Sequence, residues 1–422
     1  MRTLANAPHP FKGTEIHTLP GGLTVLLKKD STVPVVALQA WARCGAIDEA
    51  PRVHGISHGL EHMVFKGTSR RNAGEITRDI ESKGGAINAA TQLETTHYYI
   101  DIPSYGLDPA LDVLADALTH PTFPDDELQR ERKVILEEIH RRDDSPEATL
   151  WDEFSAALFK GTPYGTKVIG SIETVSGLSR QDLSEYFSAH YVPENLAVVV
   201  TGDFDRVKTL KKIEKLFADL PRRKAPPKPI VTLSKMKPSL NRIAKPVELT
   251  YFAAGHPTPG LGHPDSVGLD LLADVLSGGA SARLYQNLRE DRQLVLSIAC
   301  DYIPFSQCGI FALFGEAFPD KADAALAAVT EEFTGMRKNP IRQEELDRAR
   351  ARIKSEWLQG SETPHGRAST LGSLHALGQI DVIETYLKRI DEITPDELTD
   401  LAFRHVDPSK FEVTMIVPEK KS

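Results

Sequence analysis

Ser179-Arg-Gln-Asp182-Leu183-Ser-Glu-Tyr-Phe-Ser-Ala-His190 is followed at once by Tyr191-Val-Pro193-Glu-Asn-Leu196-Ala-Val-Val-Val-Thr201. The first stretch reads as a helix. Ser179 takes the N-cap position and Asp182 stands three residues on, a pairing of the capping-box kind. Leu196 to Thr201 is an apolar run of strand length. The plan returns near the C-terminus. Thr394 caps, Pro395 takes the first helical position, Glu397 stands at the third, and Phe411-Glu-Val-Thr-Met-Ile416 is the strand. Ser179 and Thr394, Leu183 and Leu398, His190 and His405, and Pro193 and Pro408 are all 215 residues apart. A second diagonal, at 218, pairs Glu127-Leu128 with Glu345-Leu346 and Ile135 with Ile353. In a chain of 422 residues such offsets point to two copies of one domain.

The join is legible. Pro221-Arg-Arg-Lys-Ala-Pro-Pro-Lys-Pro229 has no apolar period and reads as a stiff, extended linker. The expected domains are 1–220 and 241–422, with 221–240 between them. Helical stripes are visible in Leu346, Ala349, Ile353 and Trp357, and in Ala325, Val329, Phe333 and Met336. Strands at Leu23–Leu27, Val35–Trp41 and Thr96–Ile102 do not alternate strictly with helices. An α+β fold is therefore expected, each copy a largely antiparallel sheet packed with helices.

Composition narrows the function classes. Hydrophobic residues are 41% and charged residues 26% of the chain, ordinary for a globular protein. A net charge of -9 argues against nucleic-acid binding, which wants a basic face. No apolar run approaches the roughly 20 residues of a membrane helix. Three scattered cysteines without a CxxC pair exclude a disulfide framework and thiolate zinc. Met1–Gly13 carries no apolar core and is not arginine-rich, so no signal or transit peptide is expected. A cytoplasmic location follows if the numbering begins at the natural start. A removed leader would leave the periplasm or an organellar matrix open.

The chemistry concentrates in Gly55-Ile-Ser-His58-Gly-Leu-Glu61-His62-Met-Val-Phe-Lys-Gly-Thr68. His58 and His62 are four apart, which on a helix puts both imidazoles on one face. Glu61 projects beside them. Two imidazoles with nearby carboxylates suit zinc, and this HxxEH order is one of those used by zinc peptidases. A surface helix carrying two of the chain's 14 histidines reads the same on these five residues alone. A catalytic zinc needs a third protein ligand. In the helix Asp125–Arg142, Leu128, Ile135 and Ile139 mark the buried face, and Glu131 and Glu138 fall on it. These two acids are two turns apart, roughly 10 Å along the axis. One suits the metal and the other a supporting role, although a solvated helix with acids at its edge is the commoner case. The second copy has no HxxEH and holds Ala349 opposite Glu131 and Glu356 opposite Glu138, so one metal site per chain is expected. His190 and His405 then read as packing or capping residues, and His97, His140, His256, His263, His365 and His375 as structural or surface ones.

His58-Gly-Leu-Glu61-His62 with Phe65-Lys-Gly-Thr68, followed by Glu131 and Glu138, resembles the M16 (pitrilysin/insulinase) metallopeptidases, the inverzincins. The resemblance extends over nearly the whole chain: Gly84-Gly-Ala-Ile-Asn88-Ala89 with Thr96-His-Tyr98, Tyr191-Val-Pro-Glu-Asn195 to Gly202-Asp203, and Ser277-Gly-Gly-Ala-Ser-Ala-Arg283-Leu284. The duplication and length resemble the two-domain processing peptidases. The resemblance implies that His58, His62 and Glu138 ligate Zn2+, that Glu61 is the general base, and that Glu131 orients a ligating histidine. It implies an extended peptide substrate added to a sheet edge around Asn88, Ala89 and Thr91, inside a chamber enclosed by two chains or two halves. In the family an Arg and, seven residues later, a Tyr of the second half hold the substrate. Here Arg289 is present, but the tyrosine position holds Leu296 and the neighbouring glycine position holds Val295. The expectation is the zinc-bearing subunit of a heterodimer, whose homologous partner lacks HxxEH and supplies the Arg/Tyr pair; a homodimer is the alternative. A non-catalytic scaffold, like the core subunits of the respiratory bc1 complex, and a zinc-dependent peptide-binding module are the competing readings. An intact Glu61 argues against a scaffold, which has no need of the base.

Overall fold

The computed structural model describes residues 9–233 and 238–419. Met1–Pro8, on which much of the leader reading rests, and residues 234–237 of the expected linker lie outside the described residues.

Two compact units are present. The first is built on a six-stranded sheet of β1 (Glu15–Thr18), β2 (Thr24–Lys29), β3 (Val35–Ala42), β4 (Ala86–Thr91), β5 (Thr96–Pro103) and β6 (Leu196–Gly202). Its order is β1-β2-β6-β3-β5-β4. The second contains β7 (Leu240–Lys245), β8 (Thr250–Thr258), β9 (Ser297–Pro304), β10 (Gly309–Ala317) and β11 (Glu412–Pro418), in the order β7-β11-β8-β10-β9. Without β1, the first order maps onto the second strand for strand. Each sheet has one parallel pairing, β2 with β6 and β7 with β11, and is otherwise antiparallel. The duplication and the largely antiparallel α+β architecture expected from the sequence are both present.

The caps form as read. Ser179 accepts the Asp182 N–H while Asp182 accepts the Ser179 N–H, opening the helix Arg180–His190. Thr394 accepts the Glu397 N–H with Pro395 in the first turn of Pro395–His405. All seven residues of β6 are buried. The strand lies inside its sheet, and its neighbour β3 is packed by the helix Leu107–Thr119 and by the helix Pro364–Ala376, which also packs on β6. Coverage on both faces explains a continuous apolar run instead of alternation. The helix Pro364–Ala376 comes very close: a Cβ on Gly372 would lie 2.1 Å from Trp41 Nε1, so only glycine fits there.

The compact units do not follow the two sequence halves throughout. Residues 141–165, before the linker, belong to the second unit, and 358–380 belong to the first. The traded pieces are counterparts. Pro146–Leu158, capped by Ser145, packs on β8 and β11, whereas Pro364–Ala376, capped by Thr363, packs on β3 and β6. Each half thus supplies the helix that covers a face of the other half's sheet. The linker residues up to Ile230 stay with the first unit, where Lys228 Nζ lies 2.6 Å from Asp48 Oδ2. Among the described residues no helix is long and apolar enough to cross a membrane.

Candidate metal centre

His58, Glu61 and His62 lie on the helix Ile56–Met63 of the first unit. Its entry is tightly determined. Gly55 adopts φ +91°, and a Cβ there would meet the Ile169 carbonyl oxygen at 2.7 Å. Buried Glu49 then accepts the N–H of Gly55 at 2.7 Å and of Ser57 at 2.8 Å. These are N–H groups that the first turn of a helix leaves unsatisfied, and an anion there also complements the helix dipole. Burial raises the Glu49 carboxyl above its ordinary range, against the bonds from His54, Ser57 and Gly55.

Glu131 and Glu138 come from the helix Asp125–Asp144, whose buried residues are Leu128, Glu131, Ile135 and Ile139. The expected stripe is present, with Glu138 half-buried at its edge. Glu138 Oε2 lies 3.7 Å from His58 Nε2 and 3.6 Å from His62 Nε2. One ligand atom from each of the three residues falls within 4.8 Å of the other two. Zinc with bonds of ~2.0–2.2 Å sets tetrahedral ligands about 3.3 Å apart, so these separations fit one ion with little movement.

The histidines are prepared for that role. Burial, with His62 adjacent, pushes the His58 pKa down to about 3 and keeps the ring neutral, the form that ligates. His58 Nδ1 is buried with no hydrogen-bond partner, and its Nε2 is beyond hydrogen-bond reach of Glu138. Two imidazoles and a carboxylate converging on one point are a donor set that fits zinc. His62 Nδ1 lies 3.0 Å from Glu131 Oε2, and Glu131 Oε1 lies 2.6 Å from Lys66 Nζ. Burial opposes the Glu131 carboxylate, but Lys66 and His62 outweigh it and hold its pKa below the ordinary value.

Glu61 is not one of the three converging donors. Its pKa is raised, first by burial, with the bond to Thr91 and the nearness of His62 opposing. Thr91 ends β4, the edge strand of the sheet, which pairs on one side with β5. Asn88 and Ala89 lie on that strand, opposite Tyr99 and Tyr98, and Asn88 is exposed. The structure brings His58, His62, Glu131 and Glu138 together, with Glu61 against the edge strand. Arg289 lies in the second unit, on the π-helical turn Tyr285–Asp291, with its guanidinium 4.7 Å above the Tyr285 ring and bonded to the Tyr285 hydroxyl.

Two supporting residues were not picked out as site residues from sequence. Lys66 had a signal in its spacing, one helical turn past His62. Glu49 had none, because it reaches the helix from a preceding loop.

The second unit offers an internal comparison. Gly67, Ser69 and Arg71 recur 212 residues later as Gly279, Ser281 and Arg283, which aligns His58 and His62 with Asp270 and Asp274 and Glu61 with Ala273. A cavity of about 320 Å³ is lined there by Asp270, Asp274, Arg352 and Glu356 among others. Arg352 lies 2.8 Å from Asp274 and 3.2 Å from Glu356. An arginine thus pairs the acids where the first unit converges three metal donors, and both imidazoles and the base are missing.

Comparison with known proteins finds two family descriptions, which meet between residues 171 and 177, inside the first unit. The description of the insulinase family, peptidase family M16, matches residues 24–171, and that of the M16 inactive domain matches 177–353. The chain is 32% identical over 389 residues to a protein named an uncharacterized zinc protease in Mycobacterium leprae, covering 91% of this chain and 87% of that one. A protein of the same description in Mycobacterium tuberculosis is 31% identical over 405 residues, with 95% and 92% covered. The crystal structure of a protease from Helicobacter pylori superposes with a TM-score of 0.90 at 24% identity, covering 96% of this chain and 99% of that one, and so shares the fold. With a donor-bearing first unit, a donor-poor second one and these relatives, the chain belongs to the M16 peptidase family.

Proposed function

We propose that this chain is the catalytic subunit of a zinc-dependent endopeptidase that hydrolyses unfolded peptides or presequence-like segments. The observation that carries the reading is the convergence of His58 Nε2, His62 Nε2 and Glu138 Oε2, with Glu61 standing between them and an edge strand. His58, His62 and Glu138 would hold the ion, and Glu131, steadied by Lys66, fixes the His62 ring so that Nε2 faces it. When bound, zinc lowers the pKa of water and polarises a carbonyl. Glu61 takes the proton of the attacking water and delivers it to the leaving amine. A carboxyl with a raised pKa suits both halves of that transfer. The substrate pairs with the open edge of β4 around Asn88 and Ala89, using main-chain hydrogen bonds that tolerate many sequences.

The partner reading rests on Arg289 and Leu296. Arg289 is engaged with Tyr285, and Leu296 is a 40% exposed aliphatic side chain with no hydroxyl to offer. A homologous subunit with a donor at that position, closing a chamber with this chain, would complete the site.

Turnover of an unfolded peptide by the chain with its partner, stopped by a chelator and restored by one equivalent of zinc, is the expected result. Peptide that binds in the presence of zinc but is never cleaved would reduce the protein to a binding module.

A further inference from the structure

Among the described residues one other group of side chains is arranged to hold a metal ion: His263, Asp265 and His405. All three belong to the second unit. His263 and Asp265 sit in the turn that leads into the helix Ser266–Ser277, and His405 ends the helix Pro395–His405. His405 is 140 or more residues from the other two in sequence, yet one ligand atom of each lies within 4.8 Å of the others.

The carboxylate is the centre of the group. His405 Nε2 lies 2.6 Å and His263 Nδ1 3.9 Å from Asp265 Oδ2. The two rings meet edge to face with centroids 5.8 Å apart. His263 Nδ1 also accepts the Asp265 N–H at 3.1 Å. Asp265 is the N-cap of its helix, where an aspartate ordinarily gives an oxygen to an N–H two or three residues on. Its side chain makes no such bond. It is turned to His405 and to Arg404, whose Nη1 lies 2.7 Å from the same oxygen.

We propose that His263, Asp265 and His405 form a second metal site, weaker than the first, for zinc or a neighbouring transition-metal ion. Two imidazoles and a carboxylate are a donor set for zinc, cobalt or nickel, and a poor one for calcium or magnesium. Tetrahedral zinc wants its donors about 3.3 Å apart. The close pair must open slightly, with the His405 proton passing from Nε2 to Nδ1 or to solvent, and His263 must release the Asp265 N–H and move in, which a side chain 44% exposed can do. Arg404 must release the carboxylate into solvent, and its side chain is 55% exposed. That competition sets the second site below the first in affinity. Occupancy would tie the turn before one helix to the end of another, so it would raise the melting temperature of the folded chain.

The test is metal stoichiometry on the full chain. Zinc is titrated by calorimetry into protein already carrying one equivalent, and bound metal is counted by mass spectrometry. The wild type should take a second equivalent, at least tenfold weaker, and melt a few degrees higher in excess zinc. His263→Ala should lose that equivalent and that shift while keeping the first ion. Glu138→Gln should lose the first equivalent and keep the second, so the two sites fail independently. The proposal is overturned if the wild type takes no second equivalent, or if His263→Ala and His405→Gln both retain it.

Discussion

His62 Nδ1 lies 3.0 Å from Glu131 Oε2, and this bond leaves Nε2 as the ring nitrogen that faces Glu138. The carboxylate thus selects a tautomer as well as an orientation. Glu131→Gln keeps the shape but replaces a charged acceptor by an amide that can also turn its NH2 to the ring. Zinc affinity, measured by competition with a chromophoric chelator, should fall about 10-fold to 100-fold. Unchanged affinity would remove Glu131 from the site.

Glu61→Gln should bind zinc as the wild type does and lose turnover by ~100-fold to 10,000-fold. Glu138→Gln and His62→Ala should instead purify with less zinc. The distinction follows from geometry: Glu138 converges with the two Nε2 atoms, and Glu61 bonds Thr91 on the edge strand. Zinc content and peptide hydrolysis measured on the same preparations decide it. A Glu61→Gln protein without zinc, beside an active Glu138→Gln protein, would reverse the two roles.

Removal of zinc by dialysis against a chelator should abolish activity reversibly and leave the circular dichroism spectrum intact. Each unit has its own buried core, built on Leu38, Ile100, Leu114 and Val198 in the first and on Phe252, Leu272, Phe311 and Met415 in the second. The metal is not the fold here, unlike in a zinc finger. Wholesale unfolding on chelation would make the ion structural.

Helical and strand periodicity made most of this legible. His58 and His62 share a face because four residues are nearly one turn, and Glu131 and Glu138 announced themselves by standing in register with Leu128 and Ile135. The trade of Pro146–Leu158 for Pro364–Ala376 was not legible, because an apolar helix face reads the same whichever sheet it covers. Glu49 was hidden for a related reason: its ligands are backbone N–H groups, which leave no trace in side-chain pattern. His263 read as a structural or surface residue and His405 as a packing or capping one, because only the tertiary fold brings them to one carboxylate.

Acid stability should depend on Glu345. Its side chain is buried against Arg283, with bonds of 2.9 and 2.7 Å, and although burial works against the carboxylate, Arg283 and Arg342 hold its pKa down at about 2. A depressed pKa contributes stability above the unfolded value, near 4.5, that is lost as pH falls toward 2. Glu345→Gln should therefore destabilise the neutral protein by about 1–2 kcal/mol, less than the full shift because Arg342, which supplies part of it, is largely exposed. It should also flatten the fall in melting temperature between pH 5 and 2. A parallel acid limb in wild type and variant would show that the pair does not drive it.

The last prediction concerns Leu296, where the partner reading is most exposed to failure. If another subunit supplies the donor, this chain alone should turn over peptide feebly and gain strongly on mixing. Leu296→Tyr should then raise the activity of the lone chain. Leu296 immediately precedes β9, its N–H donates to the Glu316 carbonyl at 2.7 Å, and its side chain is 40% exposed, so a phenol can be carried there without entering the core. Val295 is a different matter. It is 5% exposed and packs in the second core, so a glycine there, although it matches the family pattern, would open a cavity and should be avoided. A donor to a developing oxyanion is typically worth ~2.7–4 kcal/mol, roughly 100-fold to 1,000-fold in rate. A single graft should return less, because its neighbours are not shaped to hold the ring. The measurement is turnover per bound zinc for wild type and variant, each without a partner. A wild-type chain that alone reaches the ~10 per second of an ordinary enzyme would mean that Leu296 is no defect and that no second kind of subunit is needed.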